Sequence, residues 1–413
     1  MDANVIHPVT TLHGQLQRGL GRAARRAAEI RGSGEFVYDC IRRDPRWDRQ
    51  IESRSLYYAR LLVDLELPVH PVVEHLFAPE DETSGDDWRV SLAIDVLADL
   101  VRLSRREAAT PLRRYAQEGA QWFEALDALV SLGDPALVHG LGPVAAARCD
   151  EDDLHWLVDD PGNPVIRQWA SEHTVIADAV RARRSSPPPH PREQHRPTGS
   201  DVELAALVHQ RSDASVEAIL ELGRRRSPAL LDLAEEILPE RPSRWRGVIC
   251  RALREYGAEA LPRARAWAGG VPGCAEVGID ILARHGTARD VPILLGDLSE
   301  ALSAGSWGAA ASPVEGLGRL RAGAAVPLLK EAWSATEYAY LRPRLLTALL
   351  RTAPHTAEVY ATEALWDCED DARRIGASTA PLTEDNRLRL RRLAACAAEE
   401  PGVVSAAVDR TEP

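Results

Sequence analysis

Lysine is almost missing from this chain of 413 residues. Among its 50 Lys and Arg side chains, Lys330 is the only lysine. Schiff-base chemistry would therefore have to use Lys330, which lies in the ordinary helical sequence PLLKEAW. A Gly-Lys-Ser or Gly-Lys-Thr phosphate loop is excluded because Leu329 precedes that lysine. Aromatic residues make up only 5% of the chain, and no stretch keeps the period-two alternation that a strand pair needs, so a β-sandwich is excluded as well. The six cysteines, Cys40, Cys149, Cys250, Cys274, Cys368 and Cys396, have no CxxC spacing. Neither a zinc knuckle nor a disulfide framework is indicated, and buried free thiols are expected. No apolar stretch has the length of a membrane span, and the N-terminus lacks the apolar core of a secretory signal, so the expected location is cytoplasmic. There is no Gly-x-Ser-x-Gly elbow, and no catalytic residue, metal site or cofactor is expected.

What is present favours helix. Ala and Leu dominate a hydrophobic fraction of 45%, and the formal net charge is −12. That acidity argues against a general nucleic-acid binder, whose affinity comes from clustered cations that release phosphate counterions. The length exceeds one ordinary core and calls for two domains or a repeat array.

Along the chain, 9–30 reads as one amphipathic helix, with Leu12, Leu16, Leu20, Ala24 and Ala27 on one face and Arg18, Arg22, Arg25 and Arg26 on or near the other. From Glu35 to Arg183 short and long helices alternate, with breakers at Asp44-Pro45, Leu67-Pro68, 84–86, Gly133-Asp134-Pro135 and 160–163. The stretch 88–103 is apolar on most sides and requires cover on both flanks. A Pro- and Ser-rich stretch over 184–200 cannot bury apolar area and reads as a linker; its His190 and His195 do not make a metal site. Beyond it Trp245, Val248, Ile249, Ala252, Leu253 and Tyr256 follow helical spacing. A Gly ending one helix and a Pro opening the next recur at Gly257/Pro262, Gly286/Pro292 and Gly323/Pro327, so the prolines repeat after 30 and then 35 residues. That interval is one helix pair per repeat. The resulting expectation is an all-α solenoid in two arrays: a basic N-terminal helix (1–34), a first array (35–183), the linker (184–200), a second array (201–398) and a tail (399–413).

The turn Gly133-Asp134-Pro135-Ala136-Leu137-Val138 and the run from Asp160 through Arg167 resemble the HEAT repeat family, in particular the HEAT-like repeats of phycobilisome lyases. The resemblance implies an armadillo-type stack. It also implies a ladder in which a turn Asp pairs with an Arg early in the following helix, here Asp48 with Arg54, Asp160 with Arg167 and Asp367 with Arg373. The unit around Gly305-Ser306-Trp307-Gly308 departs from the pattern.

HEAT-like proteins include enzymes. Deoxyhypusine hydroxylases hold iron with His-Glu dipeptides, but none of the twelve histidines here precedes Glu, and His70 with Glu74 offers only two ligands. Alkylpurine DNA glycosylases use Trp and Asp in a basic groove; most of Trp88, Trp122, Trp156, Trp169, Trp245 and Trp333 fall on apolar stripes, which favours core packing. Bilin lyases share the repeat without lending it their activity. The expected function is thus a non-catalytic scaffold for a protein partner, with a DNA-binding enzyme or a bilin-lyase-like protein as alternatives. Candidate partner-binding residues are Arg46, Trp47 and Arg49, in a charge-dense turn around one Trp, and the Arg18, Arg22, Arg25 and Arg26 face. The acidic run 150–153 is expected to open a helix, where carboxylates favour the positive dipole end.

Overall fold

The structure is a computed structural model, and it describes residues 5–78, 88–185, 197–240 and 244–411. The predicted turn at 84–86, most of the 184–200 segment, and His190 and His195 lie outside the described residues. Every regular element among the described residues is a helix. Helices adjacent in sequence pack in pairs, among them Ala109–Glu118 with Trp122–Ser131, Asp201–His209 with Ala214–Arg224, and Leu261–Ala268 with Ala275–His285. No helix among the described residues is long and apolar enough to cross a membrane.

The punctuation read from sequence has a structural counterpart. Gly257, Gly286 and Gly323 each lead into or open a single 3-10 turn, Ala258–Ala260, Ala288–Asp290 and Gly323–Ala325. Each turn runs into a helix, Leu261–Ala268, Val291–Ser303 or Val326–Ala335, with Pro in its first two positions. Proline belongs there because its missing N–H would have no partner in the first turn. The acidic run 150–153 opens Glu151–Leu157 through a reciprocal capping box between Asp150 and Asp153.

The chain divides into two compact units. One comprises Met1–Pro188, Glu337–Tyr340 and Glu358–Pro413; the other comprises Pro189–Thr336 and Leu341–Ala357. These lines differ from the sequence division, because the C-terminal helices group with the first array. In the second unit every other helix also packs: Ala214–Arg224 meets Arg246–Leu253, and Ala275–His285 meets Ala311–Arg319, which in turn meets Arg342–Thr352. Small residues permit the approach, since a Cβ on Gly223 would lie 2.8 Å from Ala252 and one on Gly318 would lie 2.8 Å from the Ala348 Cα.

In the first unit, Ser55–Asp64 packs on Ser91–Arg102, which packs on Trp122–Ser131. Leu92, Val96, Leu97 and Leu100 are fully buried, so the centre of 88–103 is covered as its composition requires, while Trp88 at its start stays exposed and Val101 and Leu103 are partly buried. The 9–30 segment is two short helices, Leu12–Gln17 and Gly21–Ala27. Gly19 breaks it at a φ of 68°, a left-handed conformation open to glycine. Gly21 allows the backbone of Glu363 to approach so closely that any Cβ would overlap its carbonyl oxygen. The Cys368 N–H donates to the Gly19 carbonyl at 3.0 Å. The 399–413 tail is largely the helix Pro401–Thr411, which packs on Asp370–Thr379 and Glu384–Ala394 because Val403 and Ala407 are buried.

Candidate functional site

Most of the basic residues singled out from sequence turn inward or are tied to neighbours in the first unit. Arg18 is buried and donates to the carbonyls of His7 and Gly14 at 2.8 and 2.9 Å, and its guanidinium lies 3.5 Å from Glu337. Arg22 pairs with Glu363 at 3.3 Å, Arg25 lies over the Trp366 ring, and Arg26 donates to Gln15. Arg46 is buried, with its Nη2 2.6 Å from Asp44 Oδ2 and its Nε donating to Oδ1 at 2.8 Å. Arg49 also faces Asp44, and Trp47 is half-exposed with its ring against Tyr338. The charge-dense turn is therefore largely internal structure, because a buried Asp44 carboxylate requires cations around it.

The Asp–Arg pairs differ from the family ladder. Arg54, almost fully buried, takes its carboxylate from Glu52 at 3.0 Å and donates to the carbonyls of Gln17, Pro45 and Glu337. Asp48 instead accepts from the Gln50 N–H. Arg373 donates to the Asp367 and Cys368 carbonyls at 2.9 and 2.7 Å, while its carboxylate partner is Glu399. Asp160 accepts from Gly162 N–H, and Arg167 forms no bond to it. Two of the three arginines thus do grip turn carbonyls, but their charges are balanced by glutamates supplied from other positions. His70 and Glu74 are exposed, and no cluster among the described residues could hold a metal ion.

The same pinned segment forms part of the wall of a groove. Glu52 accepts from the Trp47 and Asp48 N–H groups at 2.6 and 3.2 Å, which fixes the chain just ahead of Ser53 and Ser55. These two serines and Arg102 line two adjoining cavities of about 410 and 340 Å3. The larger continues into a third, of about 440 Å3, through Asp127 and Ser131. All three belong to the first unit. Among the described residues, nine carboxylates line them against two arginines, and both arginines are engaged: Arg102 donates to Asp99 at 2.8 Å and Arg373 to Glu399 at 2.7 Å.

The carboxylates come from alternate helical elements that pack on one another. Asp95 lies on Ser91–Arg102, Asp127 on Trp122–Ser131, and Asp159 just beyond Glu151–Leu157. They recur every 32 residues, at 95, 127 and 159, a signal that a search for acidic periodicity along the first array would have found. Asp95 is enclosed by protein except toward the cavity and has no hydrogen bond or ion pair among the described residues. Burial pushes its carboxyl up to about 6; Arg46 opposes this, while Asp99 and Asp44 add to it. Burial in the concavity also raises Asp127, although its tip remains solvent-accessible.

The tryptophans divide. Trp169, Trp245 and Trp333 are in the core and Trp122 is half-buried, but Trp88 is 42% and Trp156 69% exposed, and these two line the cavities. An apolar-stripe position at the end of a helix thus faces the groove, where core packing had been expected. Comparison of the chain with protein-family models, curated proteins and solved structures finds no match.

Proposed function

We propose that the chain is a non-catalytic helical-repeat scaffold, similar in design to HEAT repeat proteins, that holds a polypeptide partner in the groove of its first unit. Paired helices stacked in order present a regular outer surface whose residues can vary while the buried stripes stay fixed. The observation that carries this reading is the run of three adjoining cavities across successive helices, with exposed Trp88 and Trp156 among their lining residues. Exposed aromatics in a recess are the usual anchors of a binding surface. An open run of shallow cavities suits an extended ligand better than a small molecule, whose site is typically closed around it.

One feature favours the DNA-enzyme alternative: Trp88, Asp95 and Arg102 line the same cavity. Its surroundings oppose it, because Asp95, Glu124 and Asp127 would repel a phosphate backbone there. A photo-crosslinking residue at Ala128, in the groove, and another at Val359, exposed elsewhere, test the proposal in native lysate. A discrete polypeptide adduct from position 128 alone is the expected result. Adducts to nucleic acid, or equal adducts from both positions, would refute it.

A further inference from the structure

The groove's chemistry also specifies the partner. We propose that it binds an extended, arginine- or lysine-rich polypeptide segment, with Asp95 receiving one cationic side chain and the Asp127 and Asp159 positions receiving the next ones along. This rests on the scaffold reading and adds the partner's charge, conformation and spacing.

Four observations point the same way. Asp95 is a deeply enclosed carboxyl that opens on the cavity and has no partner among the described residues. A polar group in that situation costs stability unless something pairs with it, and a guanidinium or ammonium entering the cavity would do so. Ser53, Ser55, Ser91 and Ser131 surround the same space with hydroxyls that accept hydrogen bonds from a cation. The third cavity sets Trp156 beside Asp127, Asp159 and Asp160 with no basic residue among the described residues of its lining; Asp159 pairs with the partly exposed Arg183, which an incoming arginine would replace, and an aromatic face next to carboxylates stabilises arginine by cation–π contact. The acidic positions also recur once per helix pair.

Packed helices lie about 8–10 Å apart, so carboxylates on successive elements fall about 10 Å apart. A chain in the extended polyproline-II conformation rises about 3.1 Å per residue and returns to the same face every third residue. The groove therefore selects a basic side chain at every third position. A tight cluster of cations would satisfy only one step of the ladder.

A fluorescein-labelled twelve-residue peptide with Arg at every third position, titrated against the full chain by anisotropy, tests this. Its controls are a peptide of the same composition with its arginines in one block, spermine, and single-stranded DNA. Two triple variants carry the same charge change: Asp95→Asn/Asp127→Asn/Asp159→Asn in the groove, and Glu172→Gln/Asp178→Asn/Asp409→Asn on exposed positions outside it. Circular dichroism checks that both are folded. The spaced peptide is expected to bind more tightly than every control. The groove variant should weaken it at least tenfold and the other variant less than twofold. Binding should also strengthen as pH rises through about 6, where Asp95 ionises in the field of Asp44 and Arg46, of Asp99 and Arg102 on its own helix, and of Glu124 and Asp127 opposite. Equal binding of both peptides, preference for spermine or DNA, or equal loss in the two triple variants would overturn the proposal. If the peptide fails while the crosslinker at position 128 still captures a polypeptide, the cationic partner is wrong and the scaffold stands; if neither binds, both fall.

Discussion

Replacing Glu399 by Gln should remove about 3 kcal/mol from the first unit at neutral pH. The Glu399 side chain is wholly buried, with Arg373 at 2.7 Å and Arg60 at 2.7 Å. Arg373 is almost as buried and has no other carboxylate within ion-pair distance among the described residues. Breaking one partner out of such a pair leaves the other charge stranded and costs about 3–5 kcal/mol; Gln keeps one accepting oxygen, which favours the lower end. An independent route gives the same size. Burial pushes the Glu399 carboxyl up, but Arg373 and Arg60 overcome that and hold it at about 2. Against an ordinary value of about 4.3, roughly two units at about 1.36 kcal/mol each give about 3 kcal/mol. Because the folded value is depressed, this stabilisation is complete above about pH 4.3 and is lost as pH falls through about 2. Urea unfolding between pH 7 and 2 measures it, with hydrogen exchange of peptides from 358–411 assigning the transition to this unit. With a slope of about 3 kcal/mol per M, the variant's midpoint should fall by about 1 M at pH 7, and the two curves should converge near pH 2. A loss below about 1 kcal/mol at pH 7, or a difference that persists unchanged at pH 2, would refute the reasoning.

Arg46→Ala should destabilise the first unit by about 3 kcal/mol, since it takes the nearer cation from the buried Asp44 carboxylate and leaves the more distant Arg49; Trp47→Ala, at a half-exposed ring, should cost under about 1 kcal/mol, as thermal melts of both will show. In the second unit Arg265, the largest influence, holds Asp290 at about 2. Asp290→Asn should therefore cost about 2 kcal/mol above the ordinary carboxylate range and nothing below pH 2, measurable by denaturant titration at pH 7 and pH 2. Gly278→Ala places a methyl 2.7 Å from the Ala264 carbonyl and 2.9 Å from Trp267 Cβ, so overpacking should cost about 1–3 kcal/mol; a gain in melting temperature would show that the two helices separate freely.

The parts of this fold legible in the sequence are those set by local rules. Helical spacing of Trp245, Val248, Ile249, Ala252, Leu253 and Tyr256 predicted a buried face; five of the six are buried and Val248 is partly so. The Gly and Pro punctuation marked helix ends because each acts through its own backbone. Contacts between distant segments were not legible. Arg373 has Asp367 six positions away at the family's spacing, yet its carboxylate is Glu399, 26 residues on, because the Pro401–Thr411 helix folds back and delivers it. Nor do immediate neighbours distinguish Trp156 from Trp169: each lies between one polar and one apolar residue, His155 and Leu157 or Gln168 and Ala170, and only the position on a helix relative to the next element leaves one 69% and the other 3% exposed. The groove itself left a trace in the 32-residue recurrence of Asp, which a search organised around apolar stripes passes over.

The same type of charge is used in two ways within one unit, and the difference lies in what surrounds it. Asp44, Glu52 and Glu399 are buried with arginines at 2.6, 3.0 and 2.7 Å; their desolvation is offset inside the protein, so they hold loops and helices in place. Asp95 is also enclosed but has no cation at ion-pair distance among the described residues; burial outweighs the fields of Arg46 and Arg102, and its carboxyl stays raised to about 6. Removing the charge from a carboxylate of the first kind must weaken folding, as worked out for Glu399. Removing it at Asp95 relieves an unmet penalty instead, so Asp95→Asn should leave the urea midpoint at pH 7 unchanged or raise it. A residue whose neutralisation stabilises the fold while weakening a ligand is one retained for binding. If Asp95→Asn instead lowers stability by more than about 1 kcal/mol, the carboxylate belongs with the internal pairs, and the groove loses its strongest claim on a cation.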